Sequence, residues 1–350
     1  MPAEEGGVVQ YELRQQVIEP KRRAFQHLVD RYGDRAASRY LEGSIDVQPR
    51  EHFHYRPLWD PEHEIYDEAF SALRLADPYS FLDPRQYYYA TYTQARAAHQ
   101  EAFTRSLSYV VDRGLLGGLA EGWQRLLART VVPLRHYESG AELVSAAASR
   151  FAYGTTIEQC ASFAAFDRIA SAQSLSRIGL ALGGDTDAVL LEAKAAWLEA
   201  PALQGVRKAV EELLVEPDWA VGLLGLDLVD SMLYPMLFRE LDEHALLEGA
   251  SAYGLLAQHF TAWFEDQRRW LDALMRTWVH DPTHGEANRR VLQGITARWL
   301  PVARVAVGAI AREAGECLGA PQLATAGGLL ADGVEARMAA ALSATEQGSA

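Results

Sequence analysis

A carboxylate and an imidazole three residues apart on a helix can grip one metal ion. Two such Glu-x-x-His steps, with a Glu from each of two further helices, hold an iron pair in helical bundles. The chain has ten histidines, and only His54 has a glutamate three residues before it, in Glu51-His52-Phe53-His54. That step lies among Pro49, Pro57 and Pro61, which do not permit a helix. A di-iron site of this kind therefore has no ligands here, and no catalytic, cofactor-binding or metal-ligating residue is assigned to the chain. His52, His54 and His63 lie close together in sequence, but an extended proline-rich strip does not converge imidazoles on an ion. Packing at an interface explains them better.

Other chemistries are excluded by what is missing. Lysine stands only at Lys21, Lys194 and Lys208, and none follows a glycine, so there is no phosphate-binding loop. The sequence contains neither G-x-G-x-x-G nor G-x-S-x-G. Cys160 and Cys317 are too few for a zinc or iron–sulfur framework and read as buried free thiols. The chain is thus not a flavin or iron–sulfur reductase. A net charge of −14 argues against nucleic acid. No apolar run approaches the ~18 residues of a membrane span, and Met1 to Tyr11 resembles no signal or transit peptide. A cytoplasmic location is expected.

The elements that would position any site are helical. From Asp83 onward the apolar period is that of a helix almost throughout. Asp83 as N-cap, Pro84 in the first turn and Gln86 as capping-box partner predict a helix running to about Gly114. A second opens with a Thr155–Glu158 capping box and stops at Gly183-Gly184. Asp185 or Thr186 caps a third, which Pro201 ends. Further helices are expected from Asp218 to about Leu247 with a bend at Pro235, from Ser251 to about Trp278, from Glu286 to Leu318, and from Leu323 to Leu342. Long antiparallel helices with short breaks make an all-α, expanded helical bundle.

The first 61 residues differ. Pro20 to Tyr32 can form a short helix closed by Gly33. Gly43 to Pro61 has no usable period and should be extended. Ordering such an arm costs on the order of 1–2 kcal/mol per residue, which its own few contacts do not offset. Its aromatic residues suit another protein's surface. The expected division is an interaction arm over 1–61 and a helical domain over 62–345. Phe53, Tyr55, Arg56, Leu58 and Trp59, with Arg85, Tyr87 and Tyr88, are the candidate interface residues.

Two runs are distinctive enough to compare with known proteins. Phe53-His54-Tyr55-Arg56-Pro57-Leu58-Trp59-Asp60-Pro61 and Asp83-Pro84-Arg85-Gln86-Tyr87-Tyr88-Tyr89 resemble the hydroxylase β subunit of bacterial multicomponent phenol hydroxylases and toluene monooxygenases, the soluble di-iron monooxygenases. Val17-Ile18-Glu19-Pro20 and Arg39-Tyr40-Leu41-Glu42 are similar to that family's arm. The resemblance is strong over about residues 10–115 and rests beyond that on length and helix order. It implies a ferritin-like bundle with an extended N-terminal arm. It also implies a non-catalytic role beside a di-iron α subunit and a γ subunit in an α2β2γ2 assembly. A small regulatory protein would join it, and a separate reductase would carry NADH-derived electrons through FAD and a 2Fe-2S cluster. Phenol or a related aromatic is the implied substrate; toluene, an alkene or another small hydrocarbon stays open.

Arg96-Ala97-Ala98-His99 stands where a catalytic relative could place Glu-x-x-His, and a cation there would repel iron. His99 is expected to pack inside the bundle. Tyr87, Tyr88, Tyr89 and Tyr92 read as core and interface, and Glu240, Asp242 and Glu243 beside His244 as a solvated helix end. The rival is a self-sufficient ferritin-like oxidase or a helical binding protein with an atypical site. Glu158 and Glu192 lie on plausible helices for it, without a histidine three residues on.

Overall fold

The computed structural model describes residues 25–48 and 61–343. Among the described residues the regular structure is entirely helical. Two short helices come first, α1 (Gln26–Tyr32) and α2 (Arg39–Ser44). After an irregular stretch follow α3 (Tyr89–Asp112), α4 (Glu121–Leu126), α5 (Leu134–Phe151), α6 (Thr155–Leu182), α7 (Ala188–Glu199) and α8 (Pro201–Leu214). The second half holds α9 (Trp219–Pro235), α10 (Leu241–Leu247), α11 (Ser251–Val279), α12 (Gly285–Leu318) and α13 (Gln322–Ser343).

The centre of the fold is made by α5, α6, α9 and α11. The α5–α6 hairpin is the most extensive pairing, and α9 and α11 pack on its inner side. Its turn depends on Gly154, whose φ of +111° is open only to glycine and whose missing side chain admits the Pro78 carbonyl. The long α12 closes the other side of α9, with α8 and α13 beside it. Gly205 lets α8 approach the α12 backbone at Ala306. Helix α9 is apolar enough, together with the turns up to Leu247, to cross a membrane by composition, but 89% of that window is buried inside the protein. It is apolar because it is surrounded.

Two π-helical segments, Leu127–Val131 and Met236–Glu240, adjoin Pro133 and Pro235. A proline removes one helical N–H and crowds the preceding turn, which the wider π turn before Pro133 accommodates; the second segment follows its proline. Two carbonyls of the second segment find donors on α11. Tyr253 Oη donates to Leu237 O, and Thr261 Oγ1 donates to Phe238 O at 2.8 Å.

Several helix starts differ from expectation. The Asp83 carboxylate caps no helix; it accepts from the Arg85 amide at 2.9 Å and from its guanidinium. Gln86 then takes a left-handed φ of +54° and breaks the chain direction. Helix α3 begins only at Tyr89, where Thr91 Oγ1 accepts from the Tyr88 amide. Gly154, not Thr155, is the N-cap of α6, and Asp187 replaces Asp185 or Thr186 at α7. Asp218 does cap α9, accepting from the amides of Ala220 and Val221.

Residues 25–48, placed in the arm by sequence, pack on this chain's own α6 region. Tyr40 Oη accepts from the Asp83 amide at 2.6 Å, and Gln48 Nε2 donates to Ala152 O at 3.0 Å. Ser44 Oγ donates to Gln159 at 3.2 Å. From residue 61 to 88 the chain straps the ends of α9 and α12. The amides of Ala72, Arg74 and Ala76 donate to Asp218, Asn288 and Asp281 at 2.7, 3.0 and 2.7 Å. From Ala72 to Ala76, side chains of the bundle thus satisfy alternate backbone donors, as a neighbouring strand would.

Candidate functional site

At the centre of the four helices lies a guanidinium. Arg168 on α6 donates through Nη1 to Glu138 Oε2 on α5 at 3.1 Å, and through Nη2 to Asp230 on α9. All three side chains are at most 3% exposed. Each carboxylate has a second, fixed donor. Tyr234 Oη donates to Glu138 Oε1 at 2.8 Å, and Tyr137 Oη donates to Asp230 Oδ1 at 2.7 Å. The guanidinium also lies over the Trp263 ring of α11, 4.8 Å from its centroid. Residues from four helices therefore meet at a single point.

Burial disfavours charge, so it pushes the Glu138 and Asp230 carboxyls up, against the pull of Arg168. Burial would also lower the guanidinium, but Asp230 and Glu138 outweigh it and hold Arg168 charged. Tyr137 and Tyr234 are pushed well up by burial and then by the neighbouring carboxylates, so both remain phenols and donate. A cavity of about 30 Å³ between α3, α6 and α11, lined in part by Trp263, has room for about one water.

A second network flanks the centre. Arg85 pairs with Asp83 at 3.0 Å and Asp266 at 3.2 Å; Arg96 pairs with Asp266 at 2.6 Å and Asp167 at 2.8 Å. Tyr92 Oη adds a bond to Asp167 at 2.8 Å. Cys160 is buried, its thiol pushed well up by burial, and it donates to Asp83 at 3.4 Å. A third network joins α9, α11 and α13: Arg268 with Asp227 and Asp272, and Arg337 with Asp272 and Ser231.

The sequence-chosen residues fall as follows. Phe53, Tyr55, Arg56, Leu58 and Trp59, with His52 and His54, lie outside the described residues. Arg85 has 1% of its side chain exposed, enclosed within this chain. Tyr87 lies against that guanidinium at 4.7 Å; it and Tyr88 are half-buried, and Tyr89 is exposed. His63 stacks on Phe70 at 3.8 Å. Arg96 and His99 sit on α3, which packs on α11 outside the four central helices. His99 meets His259 edge-on at 5.9 Å, and His259 Nε2 pairs with Ser106 at 2.9 Å. Glu158 is held by Ser162 at 3.1 Å, and Glu192 faces Arg129 at 3.8 Å. Beside the acidic end of α10, the His244 ring stacks on Trp123. Glu138, Arg168 and Asp230 were not singled out by sequence.

A di-iron centre needs carboxylates and imidazoles converging on an open space. Here two carboxylates converge on a guanidinium, with phenols and an indole around it, so the donor set does not fit one. Among the described residues no three His, Cys, Asp or Glu side chains come together as a metal group.

Fold and centre define an all-helical bundle of ferritin-like design whose middle is an organic cation. Its relatives are consistent in kind. Residues 59–282 match the family described as Methane/Phenol/Alkene Hydroxylase. The chain is 37% identical over 304 residues to the phenol 2-monooxygenase oxygenase component DmpL of Pseudomonas sp. strain CF600, covering 87% of this chain and 91% of that one. It is 27% identical over 231 residues to the beta subunit of the toluene-4-monooxygenase hydroxylase component of Ectopseudomonas mendocina, covering 64% and 68%. The solved phenol hydroxylase from Pseudomonas sp. OX1 superposes with a TM-score of 0.79 at 35% identity, over 87% of this chain and 94% of that one. The chain belongs to the methane/phenol/alkene hydroxylase family, as its Asp83–Tyr89 and Phe53–Pro61 runs suggested.

Proposed function

We propose that this chain is the non-catalytic β subunit of the hydroxylase component of a multicomponent di-iron monooxygenase, working in the cytoplasm on phenol or a related aromatic. The observation that carries this is the bundle centre. Arg168 stands where α5, α6, α9 and α11 meet, and Glu138 and Asp230 are committed to it; a catalytic bundle would use such a meeting point to gather metal ligands. The redox chemistry then belongs to an α partner with the iron pair. Electrons from NADH would arrive through a separate reductase bearing FAD and a 2Fe-2S cluster, and a γ subunit and a small regulatory protein would complete an α2β2γ2 system. On this reading the chain supplies a rigid helical body against which α is held. Phe53, Tyr55, Arg56, Leu58 and Trp59 would make the contact, with the exposed edges of Tyr87 and Tyr88. Arg85 would act from within by holding the Tyr87 ring.

The test is to load the isolated chain with ferrous iron and to co-express it with a di-iron α chain. No coupled two-iron Mössbauer signal is expected from the isolated chain, and a stable complex is expected from the pair. A coupled signal from the chain alone, or no complex with α, would overturn the assignment. Removing residues 1–60 should weaken assembly more than helix content; assembly at full affinity would exclude the arm as the contact.

A further inference from the structure

Helical di-iron proteins hold a metal on carboxylates drawn from separate helices of one bundle, and Glu138 and Asp230 come from separate helices of this bundle. We propose that the centre is a cation site whose cation is the Arg168 guanidinium, so that removing that side chain leaves a two-carboxylate site which a free cation fills. This goes beyond the subunit assignment and concerns this chain alone.

The two carboxylates are arranged as ligands are. A ligating carboxylate is normally oriented by a further hydrogen bond to its other oxygen. Tyr234 holds Glu138 by Oε1 while Oε2 faces the guanidinium. Tyr137 likewise holds Asp230 by Oδ1, and the shortest contact of Arg168 is to Oδ2. The phenols therefore keep both carboxylates aimed at one point whatever cation stands there. The charge is unbalanced in a way that suits a divalent ion: two carboxylates face one guanidinium. The other nearby acid, Asp227 one turn earlier on α9, is taken by Arg268. A buried charge without a partner is costly, so an emptied centre must protonate, admit water or take up a cation. Three residues after Arg168, at the spacing of a Glu-x-x-His step, stands the buried Ser171, which adds no strong metal ligand. A free ion in the emptied site would thus be held by carboxylates alone, which suits a hard divalent ion, and Mn2+ is the one of these that EPR can count.

The experiment compares three full-length proteins: the natural chain, Arg168→Ala, and Arg168→Ala with Glu138→Gln and Asp230→Asn. Thermal unfolding is followed in chelator, in Mn2+ and in low-millimolar methylguanidinium, and bound Mn2+ is counted by EPR. Arg168→Ala should melt about 5–10 °C lower in chelator. Mn2+ or methylguanidinium should recover half or more of that loss, with one Mn2+ bound per chain. The natural chain and the triple variant should respond to neither. Absence of rescue by both cations overturns the proposal, as does equal rescue of the triple variant. Should Arg168→Ala fail to fold in chelator, it is refolded with either cation present. Recovery supports the site, and failure with both overturns it.

Discussion

Arg168 and Arg304 make the same connections in opposite surroundings. Each joins two carboxylates on other helices: Arg168 joins Glu138 and Asp230, and Arg304 on α12 joins Asp332 and Glu335 on α13. The side chain of Arg168 is 1% exposed and that of Arg304 is 38% exposed. At the surface, water solvates all three partners whether or not they meet, and the pairing contributes little. At the centre no water replaces a lost partner, so each group depends on the others. The chemical connection alone does not measure an ion pair's importance; what remains when one partner leaves does.

Arg168→Met tests the buried end of the comparison. It keeps much of the volume and leaves Glu138 and Asp230 without a cation. A loss of about 3–5 kcal/mol in urea unfolding is expected. Adding Glu138→Gln and Asp230→Asn should return part of it, because the uncompensated carboxylates are the cause. A loss below about 1 kcal/mol for the single variant would mean that water already reaches the centre.

The flank lies between the extremes because its charges are shared. Asp266 is held by both Arg85 and Arg96, and Asp167 by both Arg96 and Tyr92. Arg96→Met therefore leaves Asp167 with Tyr92, and Asp266 with Arg85 and, at 3.9 Å, Arg269, and the expected loss is about 2 kcal/mol. A loss matching that of Arg168→Met would show that sharing gives no protection.

The difference between centre and flank was only partly legible in the sequence. Helices α3, α6, α9, α11, α12 and α13 were readable because their apolar stripes are long. The starts of α9 at Asp218 and α11 at Ser251 were readable too, but that of α3 was not: the Asp83 carboxylate turned to Arg85, a preference that only tertiary burial settles. Helix α5 was passed over between the glycines near 114 and the capping signal at Thr155, and with it Glu138. The centre is assembled from residues 30 and 62 positions apart, so no local spacing announces it. A weaker signal was available. Glu138 falls on the stripe made by Leu134, Tyr137, Ala141 and Val144, and Asp227 and Asp230 interrupt an otherwise apolar α9. A charge on a buried face needs a buried partner. Finding which partner required the fold.

Acid separates the groups by sign. His136, two residues before Glu138, is pushed down to about 4 by burial, then by Arg135 and Lys194. Between the ordinary 6.5 and about 4 the unfolded chain takes up a proton that the folded chain refuses. Stability should therefore fall as pH falls through that window. Glu138 and Asp230 work the other way: raised by burial, they bind protons more readily folded than unfolded, so their contribution falls as pH rises through their own window. His136→Gln should flatten the acid limb, sparing on the order of 1–2 kcal/mol at pH 5 with little change at pH 8. An unchanged acid limb would assign the loss to other groups.

Arg304→Ala carries the smallest expected effect and closes the comparison at its exposed end. Its bonds to Asp332 at 2.7 Å and Glu335 at 3.0 Å are no longer than the 3.1 Å contact of Arg168 with Glu138. Distance alone would rank the two arginines together. Exposure ranks them apart, because Asp332 and Glu335 are 66% and 62% exposed and return to water when the cation is removed. The expected cost is on the order of 0.5 kcal/mol, and salt should erase it, since a Debye length of about 3 Å at 1 M screens a surface pair. The loss from Arg168→Met should barely respond to the same salt. A salt-insensitive loss of more than about 2 kcal/mol at Arg304 would mean that α13 depends on this pair to stay docked on α12.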